Sequence, residues 1–408
     1  MRVRVPLVLL LSGLAWPGGA VTLTELQQLA IAHSKELQSF AAQTQADRAL
    51  IREETARRLP QLTGTLDAGW DDSVGGWQAT ASANLSWDLA GLASPPSDAA
   101  FRVQKDLWQT RSFIDKVKLE VALSWSRLSV LVREQKEDTK LVKFFKDHLV
   151  HLELLKAEGV DSSWDILRVK NQLSTLLTSQ LRETAEVQNL LALLRSVTGV
   201  QWALSSLRFL SSSDLPSFEP NVWYRRLPQI LASRPELHMA EADVQAAQAM
   251  TERARLAWLP QVKLSSAIQP TQLGPNRRWG LAVDFPLWDA GAQTAIQESL
   301  QSTWKAQKAQ AEALREKQTL ELETLIRETS STRQLWESAE ADFHNAELAL
   351  KEAQSLYQEG RLKEVDVLSA ALDWENARTQ VTDAERSFGD NYSTLVTLYG
   401  QEEKDVQK

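Results

Sequence analysis

Along most of this chain apolar residues recur at helical spacing, but four short stretches alternate instead. In GWQATASANLSWDL, residues 76–89, Trp77, Ala79, Ala81, Ala83, Leu85, Trp87 and Leu89 hold the odd positions and polar residues the even ones after Gly76. A strand points successive side chains to opposite faces, so this segment has one apolar and one polar face. In QLTGTLDAGWDD, from Gln61, Leu62, Leu66, Ala68 and Trp70 oppose Thr63, Thr65, Asp67 and Asp71. In QVKLSSAIQ, from Gln261, Val262, Leu264 and Ile268 oppose Lys263, Ser265 and Gln269. In RRWGLAVDFPL, from Arg277, Trp279, Leu281, Val283, Phe285 and Leu287 oppose Arg278, Gly280, Ala282 and Asp284. SVG at 73–75 and PTQLGPN at 270–276 join these strands into two hairpins, 61–89 and 261–287.

Elsewhere the period is helical. A helix is predicted over Leu23–Arg58 and another over Pro228–Trp258, each closed by Leu-Pro because proline blocks continuation. After each hairpin comes a long helix, about Ser97–Glu158 and about Gln293–Glu359. At 1.5 Å per residue each would reach ~90 Å, a length that points to coiled coil. Leu141, Phe144, Phe145, His148, His151, Leu152 and Leu155 mark an apolar stripe on the first. A glycine-containing turn, at Gly159 or Gly360, then leads into a returning helix.

The same plan is therefore written twice. ARRLPQLTGTL at Ala56–Leu66 returns as LAWLPQVKLSS at Leu256–Ser266, and KAEGVDSSWDIL around Gly159 returns as YQEGRLKEVDVL around Gly360. Ala32, Glu36, Leu37, Ala42, Gln45, Ala46 and Ala49 are matched without a gap by Ala232, Glu236, Leu237, Ala242, Gln245, Ala246 and Ala249. This reads as a duplication: a first repeat over 21–200, a connector over 201–227, a second repeat over 228–400 and a tail over 401–408.

Composition narrows the function. The 408 residues carry a formal charge of -8, which argues against nucleic acid as a partner. With no cysteine there are no disulfides, thiolate metal sites or lipidated cysteines. The opening MRVRVPLVLLLSGLAWPGGA has Arg2 and Arg4, an apolar run from Val5 to Leu14 and small residues up to Ala20, and is expected to be a signal peptide over 1–20. No later stretch is apolar enough for a membrane-spanning helix, so any membrane role falls to the strands. Their length suits a tilted bilayer crossing, and Trp70, Trp77, Trp87, Trp279 and Trp288 sit toward strand ends as an interfacial girdle would. A soluble sheet with one face on a protein core predicts the same alternation. Four strands cannot close a barrel alone, but those of three chains can.

Together these blocks resemble the TolC-like outer membrane efflux proteins over nearly the whole mature chain. The resemblance rests on YQEGRLKEVDVLSAALDWENARTQ at Tyr357–Gln380, AEGVDSSWDILRVKNQL at Ala157–Leu173, FPLWDAG at Phe285–Gly291 and LLRSVTGV at Leu193–Val200. It implies a mainly α fold with a small β part: a homotrimer whose twelve-stranded barrel in outer membrane lipid continues into a long α-helical coiled-coil tunnel in the periplasm. It also implies an exit duct for efflux or type I secretion, working with a periplasmic adaptor (membrane fusion) protein and an inner membrane pump, without cofactor or enzymatic chemistry.

The resemblance places Tyr357 and Asp366 on the second helical tip and Asp165 on the first, as a periplasmic gate in which Asp366 forms a ring of carboxylates. Leu362 stands where the family prototype has a gate arginine, and Ser369 where it has a second aspartate. The alternative for both aspartates is helix capping. Gly159, Val160, Asp161, Gly360, Arg361 and Leu362 are candidate adaptor contacts by position. Asp67, Asp71, Gln78, Asn84, Lys263 and Arg278 are expected to face the barrel lumen. His148 and His151, with Glu153 nearby, form the cluster most like a metal site, but no third ligand is evident and no metal is expected. A soluble periplasmic coiled-coil scaffold or adaptor is the rival reading.

Overall fold

The computed structural model describes residues 21–71, 75–88, 98–159, 163–207, 209, 218–256, 261–271, 274–284 and 291–400. The expected signal peptide, tip residues Val160 and Asp161, and tail 401–408 lie outside the described residues. The elements run α1 (Leu23–His33), α2 (Lys35–Arg57), β1 (Gln61–Asp71), β2 (Gly76–Asp88), α3 (Asp98–Ala157), α4 (Ser163–Thr198), α5 (Pro220–Ala232), α6 (Pro235–Leu256), β3 (Gln261–Thr271), β4 (Gly274–Asp284), α7 (Ala292–Gln358) and α8 (Glu364–Tyr399).

Two expected helices are each a pair. The segment read as Leu23–Arg58 breaks at Ser34, whose backbone is extended (φ -62°, ψ 115°). Its first part is a strong local unit: Thr22 and Glu25 close a capping box on α1, and Leu26 and Ala30 are buried. The segment read as starting at Pro228 begins at Pro220 and breaks before Pro235, because the residue ahead of a proline is pushed out of helical backbone. Pro235 then opens α6, where its missing N–H costs nothing. The long helices α3 and α7, of 60 and 67 residues, lie within a residue or two of expectation.

The chain gathers into two compact units. One takes in Met1–Lys35, Phe113–Ile230 and Thr319–Lys408. Three apolar clusters hold it. Val21, Leu26, Val121, Leu128, Leu131 and Leu194 join α1, α3 and α4. Leu141, Phe145, Leu152, Ile166, Val169 and Leu368 join α3, α4 and α8. Ile230, Leu322, Ile326, Trp336 and Phe388 join α5, α7 and α8. The same unit carries a buried ionic layer: Asp138 of α3 pairs with Arg378 of α8, and Glu134 of α3 lies 3.5 Å from Arg386 of α8. A buried charge without a partner is costly, so these pairs tie α8 to α3 at matching heights.

The other unit, Glu36–Ser112 and Leu231–Gln318, contains the sheet. Its strands run antiparallel in the order β1-β2-β3-β4, so each hairpin is joined to the other through β2 and β3. The second hairpin turn is shorter than the sequence suggested, because β3 continues to Thr271 and β4 starts at Gly274. Pro270 and Pro275 are directly opposed there, which suits a pair that exchanges no hydrogen bonds, since neither has an N–H. Lys105 of α3 and Asp243 of α6 meet at 2.8 Å in this unit.

Candidate functional site

The sheet's register sorts its positions into two faces. Partners across an antiparallel pair share a side, so one row runs Leu62–Leu85–Ser266–Trp279 and another Trp87–Leu264–Leu281. The opposite face carries Thr63–Asn84–Ala267–Arg278 and Asp88–Lys263–Ala282. Asp67 pairs with Thr80, Gln78 with Gly69 and Asp71 with Gly76, which puts all six lumen candidates on that second face. The side chains of Asp71, Gln78, Asn84, Lys263 and Arg278 lie outside the described residues.

No protein core covers the apolar face where it is described. Leu62, Leu66 and Trp70 are 74%, 86% and 57% exposed, and Trp279 and Leu281 of β4 are exposed as well. Thr63 and Asp67, on the polar face of β1, are also exposed. Both edges, β1 and β4, have no partner strand among the described residues. Large apolar side chains in water and open strand edges are each unfavourable, so this sheet requires something more around it.

The two helical tips are built alike. Gly159 and Gly360 adopt φ of 93° and 70°, the left-handed backbone that ends a helix at little cost only for glycine. After α7 the Gly360 N–H donates to the Tyr357 carbonyl (2.9 Å) and the Arg361 N–H to the Leu356 carbonyl (2.9 Å), a Schellman closure. Arg361 is exposed and pairs with Glu359 at 3.3 Å, while Leu362 is half-buried. Asp366 is exposed and caps α8: its carboxylate accepts from the Lys363 N–H at 3.2 Å. Asp165 is half-buried in the first turn of α4, where a negative charge suits the helix end. Among the described residues no hydrogen bond joins Tyr357 to either aspartate.

Tyr357 instead bonds to His151 of α3, phenol oxygen to Nε2 at 2.9 Å. Next to it lies Glu364, the first residue of α8 and 8% exposed. One Glu364 oxygen is 2.9 Å from His148 Nδ1; the other is 3.6 Å from His151 Nε2 and has no hydrogen-bond partner. Burial, and then the Glu364 charge, hold the Tyr357 phenol above its ordinary pKa. Glu153, the expected neighbour of these histidines, pairs with Lys170 of α4 at 2.9 Å. Among the described residues no group of three or more His, Asp or Glu is placed to hold a metal ion. Sequence reasoning missed Glu364 because an acid in a first turn reads as a solvated cap, and its partners lie far away in the chain. The one available signal was the spacing of His148 and His151, which puts both on one side of α3.

Residues 227–401 match the family model of the outer membrane efflux protein. The cation efflux system protein CusC of Escherichia coli O6:H1 is 21% identical over 399 residues, covering 91% of this chain and 84% of CusC. A solved structure of CusC superposes with a TM-score of 0.82 at 18% identity, covering 96% of this chain and 95% of that one. The second half of the chain is thus similar to the outer membrane efflux proteins, and the likeness to CusC extends over nearly its whole length. A second similar protein, the pyoverdine export outer membrane protein OpmQ of Pseudomonas aeruginosa, is 26% identical over 279 residues, 64% of this chain and 57% of OpmQ. The mainly helical fold with its small β part is that of the solved TolC-like channel structures on which it superposes. No described helix is long and apolar enough to cross a membrane.

Proposed function

We propose that this chain is an outer membrane exit duct, one of three copies that together conduct solutes from a periplasmic adaptor and inner membrane pump to the outside. The observation that carries the reading is the sheet: an apolar face with no core against it, a polar face behind it and two open edges. Lipid is the solvent that suits the first face, water the second, and in lipid the edges must be closed by further strands. The strands, of 11 to 13 residues, are long enough for the ~9–11 a tilted crossing needs. A soluble scaffold would have to bury Leu66 and Trp279, which stand exposed.

In this reading Asp67, Asp71, Gln78, Asn84, Lys263 and Arg278 line the water-filled lumen. The turns at Gly159 and Gly360, with Arg361 and Leu362, meet the adaptor, and Asp366, Asp165 and Tyr357 surround the periplasmic mouth. Transport is passive through the duct itself, with the pump supplying the work. The test is conductance of the purified protein in planar lipid bilayers. Discrete steps that depend on bilayer insertion support the duct, whereas folded protein that never conducts at any voltage contradicts it.

A further inference from the structure

We infer that the second helical tip is held shut by a proton-dependent latch in which His148 and His151 of α3 clamp Glu364 of α8, with Tyr357 of α7 completing the cluster. The inference rests on the duct reading above and deepens it: the duct's mouth would respond to pH, and the residues that close it differ from the aspartates expected by family resemblance.

The geometry is that of a buried carboxylate waiting for charge. Glu364 is 8% exposed, and of its two oxygens one accepts from His148 while the other has no hydrogen bond, with His151 Nε2 3.6 Å away. A buried carboxylate oxygen without a donor is costly. Histidine is the side chain that ordinarily changes charge between about pH 5 and 8. A protonated His151 carries N–H on both ring nitrogens, so Nε2 becomes a donor directed at Tyr357 and Glu364 together. A protonated His148 turns its existing contact into a charge-assisted hydrogen bond. Neutral histidines leave the Glu364 charge uncompensated in a site it cannot leave without moving the start of α8.

Several neighbouring charges are engaged elsewhere. On α3 and α4, Glu153 is paired with Lys170. On α7, Lys351 is paired with Glu347 at 2.8 Å, and past its end Glu359 holds Arg361. Ahead of α8, the Asp366 carboxylate accepts from the Lys363 backbone N–H, and Lys363 itself is exposed. Against Glu364 lie the two imidazoles and, through its charge, the Tyr357 phenol, and the Phe144 ring packs on His148 at a centroid distance of 4.3 Å. The bonds run from α3 to the end of α7 and the start of α8, so they tie the α7–α8 turn down. The clamp is tighter with charged imidazoles than with neutral ones, so it is expected to loosen from acid to alkaline pH.

The test uses the full chain in detergent and in bilayers, as wild type, as His148→Gln/His151→Gln, and as Glu364→Gln. Amide exchange of residues 356–368, corrected for intrinsic rates, should be roughly tenfold slower at pH 5.5 than at pH 8 in the wild type, the difference between a charge-assisted and a neutral hydrogen bond. Both variants should exchange there at one rate regardless of pH, while protection around Phe145 stays as in the wild type and shows that they fold. Equal protection at both pH values in the wild type, or undiminished pH dependence in the double variant, overturns the latch. In bilayers, wild-type closed-state conductance should rise several-fold from pH 5.5 to pH 8, and the variants should be high throughout. Conductance steps that ignore pH sink the latch and leave the duct standing; pH-dependent exchange without any conductance sinks the duct and leaves the latch.

Discussion

At the scale of single residues, the ionic layer beneath the tips makes the helical unit sensitive to pH in a second way. Glu183 of α4 is pushed up to about 7 by burial and by Asp138 beside it, and burial also raises Glu134 and Glu375. A carboxyl whose folded pKa lies above its unfolded value binds the proton more tightly in the folded state. The stability it lends is therefore fully present below the unfolded value near 4.5 and is lost as pH climbs through about 7. Thermal unfolding followed by circular dichroism should show a midpoint that falls between pH 5 and pH 8, with Glu183→Gln flattening that fall by about 1–3 kcal/mol. A Glu183→Gln midpoint that falls as steeply as the wild type's contradicts the assignment. Little of this was legible beforehand. Asp138, Glu183 and Arg378 look like ordinary solvated positions of amphipathic helices, because the pattern of one helix does not say which neighbour covers it. His148 and His151 stood out by spacing alone, and the fold supplied the partner, Glu364, from the other end of the chain.

At the scale of elements, the alternation of the strands and the ends of the long helices could be read directly, since a two-residue period and a Gly turn are local facts. The breaks at Ser34 and before Pro235 could not. Pro228 looked like a helix start and is interior to α5, where packing of Ile230 and Leu231 outweighs the proline's preference. The register adds what alternation alone leaves open, namely that the apolar rows of both hairpins form one face. That face makes a graded prediction. Leu66→Lys and Leu281→Lys should each cost about 2–4 kcal/mol if the position lies near the bilayer midplane, and about 0–1 near an interface. Asp67→Asn, on the opposite face, should leave assembly unchanged. The yield of heat-sensitive oligomer on unheated gels reads this out. Equal yields for all three substitutions would mean that neither face meets lipid.

At the scale of the whole molecule, the exposed sheet makes a demand for company. Among the described residues the four-stranded sheet has open edges and an uncovered apolar face, and three chains give the closure the resemblance implies. The most direct measurement is to express the full sequence in a double-membraned bacterium, separate the membranes by density and run the detergent extract unheated. The account predicts a trimer in the outer membrane fraction that falls to monomer on boiling. A soluble monomer in the periplasm would contradict it, and the exposed strand face would then need a protein partner instead of lipid.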